Sequence, residues 1–244
     1  MKVALFATCL VDQVVPQVGV ATVHLLRHLG CRVTFPPGQV CCGQPVYNTG
    51  YPNAARTAAR PLLDAFEGER YVVAPSGSCV AMIRHHFPEL FADDPALSRR
   101  ARELVDRTYE LSEFIVTVLG ITDVGAHFPH RVAFHPSCHG SRLLGVRHEP
   151  LALLREVRGL ELVPVPRADD CCGFGGTFTV KVPGISAAMV DEKAAHIEST
   201  GATHLVGIDL ACLLNIAGRL EQRGSGIRTL HLAELLTEGL GDSP

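Results

Sequence analysis

The chain has 244 residues, 47% of them apolar and 19% charged, and a formal net charge of −3. That length accommodates one large domain or two of about 120 residues, and the charge excludes the basic footprint of a nucleic-acid or anionic-membrane binder. Nine cysteines in so long a chain argue against a disulfide scaffold, a device of small secreted domains, and for metal or redox chemistry in a reducing compartment.

In chain order, the apolar run over residues 3–8 predicts a buried strand ending at Cys9. Residues 18–29 place Val23, Leu25, Leu26 and Leu29 at helical spacing and stop at Gly30, a common helix terminator. A second strand over 31–35 is broken by Pro36-Pro37-Gly38, and Cys41-Cys42-Gly43 follows in a loop. Residues 53–66 predict an Ala/Leu-rich helix and 71–74 a short buried strand. Pro75-Ser76-Gly77-Ser78 then turns into Cys79 and a helix toward His86. Residues 95–107 give a charged amphipathic helix, 108–111 a fourth strand and 112–119 a helix.

The same order then runs again. Arg131-Val132-Ala133-Phe134-His135-Pro136-Ser137-Cys138 repeats the pattern of Lys2-Val3-Ala4-Leu5-Phe6-Ala7-Thr8-Cys9. A strand over 132–134 leads to Cys138; a helix over 150–157, a strand over 160–165 and Cys171-Cys172-Gly173 follow. A helix over 185–199 and a strand over 204–208 lead into Cys212, and 227–236 echoes 106–115. A segment used twice, once internally, is a structural element. The apolar start is therefore read as a strand; it lacks a charged leader region and a small-residue cleavage site. A cytoplasmic protein is expected, and no apolar run nears the roughly 18 residues of a spanning helix. Strands alternating with helices predict an α/β protein of two repeated doubly wound units, each with a small parallel sheet of about four strands, related by a pseudo-two-fold. The first repeat is placed at 1–125 and the second at 126–244.

The cysteines divide with the repeat into Cys9, Cys41, Cys42, Cys79 and Cys138, Cys171, Cys172, Cys212. Between the lone cysteine and the pair lie 31 residues in one set and 32 in the other; 36 and 39 separate the pair from the last cysteine. Cys9 and Cys138 end the first strand of each unit, and Cys79 and Cys212 follow the third, so each set converges beyond the carboxyl ends of its sheet. The ninth cysteine, Cys31, matches Leu160 in the second copy and reads as a small core hydrophobe. Adjacent cysteines cannot easily bridge each other. In extended backbone their side chains also point apart, which suits an object with several metal atoms better than a zinc knuckle spaced two to four residues apart. An iron–sulfur cluster is the better match, with zinc the alternative. Gly43, Gly173, Gly175 and Gly176 would let backbone N–H groups approach the sulfurs.

Cys41-Cys42-Gly43-Gln44-Pro45 and Cys171-Cys172-Gly173-Phe174-Gly175-Gly176 resemble the cysteine-rich CCG domain, which occurs twice in the B subunit of heterodisulfide reductases and in iron–sulfur subunits of glycolate and glycerol-3-phosphate oxidation systems. With Phe6-Ala7-Thr8-Cys9-Leu10-Val11-Asp12, Ala74-Pro75-Ser76-Gly77-Ser78-Cys79, Ile185-Ser186-Ala187-Ala188-Met189 and Leu213-Leu214-Asn215-Ile216-Ala217-Gly218, the chain resembles the lactate utilisation protein A family almost end to end. The resemblance implies a role in oxidising L-lactate to pyruvate beside two companion proteins, at least one an iron–sulfur protein. The fullest form of the motif ends in Cys-x-x-Cys, with five thiols for a double cluster. Here the earlier of those two positions is Ser76 in one copy and Asp209 in the other, and Ala211 stands where a glycine commonly precedes the last cysteine. Four ligands per set fit an ordinary four-iron cluster, or zinc in one repeat.

His135 and His139 flank Cys138 and are candidates for proton delivery or for a hydrogen bond to cluster sulfur, weighed against a partly buried histidine at a strand end. Arg99-Arg100-Ala101-Arg102 reads as a solvated helix face, or else as a docking patch for an acidic partner. Three functions follow: an iron–sulfur subunit of a lactate-oxidising system, a thiol–disulfide redox subunit like the heterodisulfide reductases, or a zinc-stabilised scaffold. The chain shows no nicotinamide or flavin fingerprint of its own, so a partner with flavin, or a further acceptor, is expected for the two-electron step.

Overall fold

In the first half of the chain, β1 (Lys2–Leu5), β2 (Arg32–Thr34), β3 (Val72–Ala74) and β4 (Thr108–Glu110) form one sheet; in the second, β5 (Arg131–His135), β6 (Glu161–Val163), β7 (His204–Gly207) and β8 (Arg228–His231) form another. The computed structural model describes residues 1–240, and the last four residues of the expected second repeat, 241–244, lie outside the described residues. The strand orders are β2-β1-β3-β4 and β6-β5-β7-β8, every pairing is parallel, and equivalent strands pair alike: Lys2 opposite Arg32, Arg131 opposite Glu161. The expected α/β repeat with four parallel strands per unit is the observed architecture. Among the described residues no helix is long and apolar enough to cross a membrane.

Strand alternation decides where each face goes. Val3 and Val73 of the first sheet and Val132, Phe134 and Val206 of the second enter a single apolar core shared by both halves. Ala4, Val72 and Ala74 face a core built from buried residues of the first half, with Leu144 of the second packed against it, and Ala133 and Leu205 face a core of the second half. Helices exchange across the shared core: Leu232–Thr237 packs on Pro16–His28, and Leu111–Glu113 on His148–Glu156. Cys31 is buried in this core, as its match with Leu160 implies.

Several predicted elements need correction. The helix expected over 53–66 is two pieces, Pro52–Ala59 and Pro61–Ala65, because Pro61 has no N–H to continue the first. The first strand stops at Leu5, and Cys9 opens a short helix, Cys9–Gln13, that periodicity did not indicate. The helices toward His86 and over 112–119 run into wider π-helical turns at Met82–His86 and Phe114–Val118.

At equivalent ends of the two sheets, Glu110 and His231 cap the helices that follow, each paired with a glutamate three residues on, Glu113 and Glu234. Both are buried. Burial pushes the Glu110 carboxyl up to about 8, against hydrogen bonds from Ser112 and the Glu113 N–H, and pushes His231 down to about 4. Between its unfolded value of 4.5 and 8, Glu110 keeps a proton in the folded chain that the unfolded chain has lost, so its contribution to stability falls as pH rises. His231 acts with the opposite sign, and only below its ordinary 6.5. Urea unfolding should therefore show wild type losing about 2 kcal/mol between pH 6.5 and 8 on account of Glu110, and Glu110→Gln should not show that loss.

Candidate metal centres

Each lone cysteine follows its strand through a strained residue. Thr8 (φ 69°) and Ser137 (φ 59°) are buried, non-glycine residues with positive φ, a conformation costing about 1–3 kcal/mol that persists only where the surroundings fix it. They aim Cys9 and Cys138 along the carboxyl edge of β1 and β5. Cys79 lies in the first turn of Gly77–Ala81, whose cap Ser76 accepts the Cys79 N–H at 3.3 Å; Cys212 lies in the first turn of Leu210–Gln222. Each Cys-Cys pair sits in a loop reversed at Gly43 (φ 84°) or Gly173 (φ 80°). A Cβ at Gly43 would fall 2.8 Å from the Ala55 carbonyl oxygen, and one at Gly173 2.6 Å from that of Ser186, so only glycine lets the loop seat on its helix.

The structure brings the four sulfurs of each set into one chain of contacts. The Cys9 thiol donates to Cys41 Sγ at 3.7 Å, Cys42 contacts both Cys41 and Cys79, and Cys138, Cys171, Cys172 and Cys212 are linked in the same order. Hydrogen bonds from the Cys42 and Cys9 thiols and from the Gly43 N–H hold Cys41 far below the ordinary thiol value, at about 2. Cys138, Cys172 and the Gly173 N–H do the same for Cys171. The donors move the other way: Cys9 and Cys138 are raised by their bonds to Cys41 and Cys171, and Cys42 and Cys172 by theirs to the same sulfurs and then to Cys79 and Cys212. Each set thus centres on one thiolate, Cys41 or Cys171, whose neighbouring thiols keep their protons and donate to it. All donors are soft, and no carboxylate joins them: Asp209, at one of the two places where a fifth thiol would stand, accepts the Ser78 N–H at 2.7 Å instead. Such a set fits a thiophilic metal or an iron–sulfur group rather than a hard cation.

The other expected residues divide. The Gly43 and Gly173 N–H groups lie 3.4 Å from Cys41 Sγ and Cys171 Sγ. Gly175 and Gly176 donate to no sulfur among the described residues; they shape the turn beyond the pair, and a Cβ at Gly176 would meet Pro45 of the other repeat at 3.2 Å. The Phe174 N–H reaches Cys172 in their stead. His135 is 2% exposed and places a ring nitrogen within 4.8 Å of the Cys172 and Cys212 sulfurs. His139 turns away to Gln44 of the first repeat, Nε2 to Nε2 2.9 Å. Two residues escaped the sequence reading: Asn215, whose amide holds the Cys172 carbonyl at 2.7 Å, and the buried Lys193. Val190 three residues before Lys193 and Ile197 four residues after it, both on the buried face, were the available signal.

The model of the CCG cysteine-rich domain matches residues 3–84 and again 132–217. Over 236 residues the chain is 54% identical to lactate utilization protein A of Bacillus velezensis and 52% identical to that of Bacillus subtilis, each alignment covering 97% of this chain and 99% of the relative. It is 50% identical over 240 residues to lactate utilization protein A 2 of Bacillus cereus, covering 98% and 99%. The chain belongs to the lactate utilization protein A family. A Helicobacter pylori protein of known crystal structure shares the fold, with a TM-score of 0.66 at 14% identity; all of this chain aligns with 49% of that one, about half its length. The chain carries its two cysteine-rich domains as an internal pair, with the thiol sets at equivalent places in each.

Proposed function

We propose that the chain is the iron–sulfur subunit of an L-lactate oxidation system, holding one Cys-ligated cluster in each repeat and passing electrons to partner proteins. The observation that carries this reading is the gathering of eight of nine cysteines into two equivalent sets of four. The names of the 50–54% identical relatives supply the substrate. The repeats at 1–125 and 126–244 each contribute one set: Cys9, Cys41, Cys42 and Cys79, and Cys138, Cys171, Cys172 and Cys212.

Oxidation of lactate to pyruvate releases two electrons and two protons, and a bound cluster supplies a one-electron acceptor. The residues of this chain hold the sulfurs and exclude water from Cys42, Cys79 and Cys172, which are buried. They also direct the Gly43 and Gly173 N–H groups onto thiolate. Hydride removal from lactate belongs to a partner, with flavin the fitting cofactor class, in the cytoplasm. Zinc is the second reading, on one specific observation: the 3.7 Å between Cys9 and Cys41 sulfurs equals the edge of a tetrahedron with metal–sulfur bonds of about 2.3 Å.

Purification under argon followed by iron, sulfide and zinc analysis separates the two. About four iron and four sulfide per thiol set are expected; zinc without sulfide would refute the electron-carrier reading. Lactate should then bleach the visible absorption of the loaded chain only when its partner proteins are present.

A further inference from the structure

The two thiol sets are alike, but the walls behind them differ. In the duplicated strand His135 takes the place of Phe6. After each Cys-Cys-Gly loop, Ser186 abuts Gly173 as Ala55 abuts Gly43, and seven residues further on Lys193 stands where the first repeat has Leu62, in the helical piece that starts at Pro61. Phe6 and Leu62 are wholly buried, in one apolar cluster with Cys42 and Cys79. Their counterparts are as deeply buried, at 2% exposure for His135 and 1% for Lys193, yet one carries an ammonium and the other an imidazole.

Polar groups at such depth are costly without partners. Lys193 Nζ donates to the Ala168 carbonyl at 2.7 Å. Burial lowers its pKa, while the charges of Asp170, Cys138, Cys172 and Asp169 favour the cation. His135 has no hydrogen bond at either ring nitrogen, although one of them lies within 4.8 Å of two ligand sulfurs. A buried imidazole without a protein partner, aimed at sulfur, finds its partner in what the sulfurs hold.

We infer that His135 and Lys193 make the centre of the second repeat the higher-potential end of the chain, the one that receives electrons from the centre of the first. This rests on the iron–sulfur reading above. A centre held by four thiolates becomes more negative when it gains an electron. A fixed ammonium and an N–H bond to sulfur stabilise that added charge, and the apolar wall of Phe6 and Leu62 stabilises it less. One electron passes from the reduced first centre to the oxidised second, with no bond made or broken. Both residues are positioning residues, acting on the centre's potential and not on substrate.

The test is an anaerobic redox titration of the loaded full-length chain followed by electron paramagnetic resonance, with Cys42→Ala and Cys172→Ala used to assign each signal to its repeat. In wild type the second-repeat signal should titrate higher, by at least tenfold in the electron equilibrium between the centres, which is about 59 mV for one electron. Lys193→Leu and His135→Phe, each copying the first repeat, should lower the second-repeat potential and leave the first unmoved; Lys193→Arg should retain it. If Lys193→Leu fails to fold, the His135→Phe and Lys193→Arg titrations decide the matter. A second-repeat signal at or below the first, or one unshifted in these variants, overturns the inference while leaving the iron–sulfur reading intact. A chain without iron and sulfide overturns both.

Discussion

Cys172→Ala is expected to halve the iron and sulfide bound by the chain, removing the second-repeat centre and sparing the first. Cys172 is the middle of its set, in contact with both Cys171 and Cys212, and it is 3% exposed, so no outside ligand can take its place. Its loss also frees the Cys171 sulfur from one of the hydrogen bonds that hold it as thiolate. Since binding energy at such sites is folding energy, the loaded variant should melt well below loaded wild type, while the two apo chains differ by only about 1 kcal/mol, the usual cost of trimming a small buried side chain. Iron and sulfide analysis alongside thermal unfolding, with and without chelator, reads both effects. Cys31→Ala is the control: Cys31 lies in the shared core, remote from either set, and its loss should leave the iron content unchanged. Equal loss of iron from both repeats in Cys172→Ala would contradict the division into two independent sets.

Gly173→Ala should be nearly as damaging, through the backbone and not through a ligand. At φ 80° an alanine pays about 1–2 kcal/mol for the left-handed conformation. Its Cβ would also lie 2.6 Å from the Ser186 carbonyl oxygen, which belongs to a helix and cannot swing aside. The Ser186 hydroxyl in turn donates to the Gly173 carbonyl at 2.8 Å, so a shift breaks that bond as well. A loss of about 3 kcal/mol or more follows, measurable by urea unfolding of the apo chain, with metal retention falling because the Gly173 N–H is drawn off Cys171. Gly184→Ala, where a Cβ meets nothing within 4 Å, should be neutral or slightly stabilising.

What the sequence disclosed was whatever the duplication repeated. A strand followed by a lone cysteine, a broken strand followed by a Cys-Cys-Gly loop, and a third strand turning into a cysteine each occur twice, and parallel crossovers leave such residues at one sheet edge. Local chemistry was legible too, as at Gly43 and Gly173. Contacts made between the copies were not, because periodicity along one segment says nothing about what meets it. Gly77 approaches Gly140 closely enough that a Cβ would lie 3.1 Å from the latter's Cα, and His139 reaches Gln44. Lys193 escaped for another reason: a lysine in a helix is read as a solvent-facing residue, and its burial is visible only once the sheet is in place.

Asp209 gives the duplication a direction. It makes no side-chain bond at the start of its own helix; its carboxylate crosses to the other repeat, accepting the Ser78 N–H at 2.7 Å and the Ser76 hydroxyl at 3.5 Å, while the Gly77 N–H reaches the Ile208 carbonyl at 3.2 Å. Positions 76 and 209, each three residues before the last cysteine of its set, form a clasp between the repeats. Replacing the carboxylate at position 209 would unfasten it, so the two repeats are held together at this point by a charge that only one of them carries.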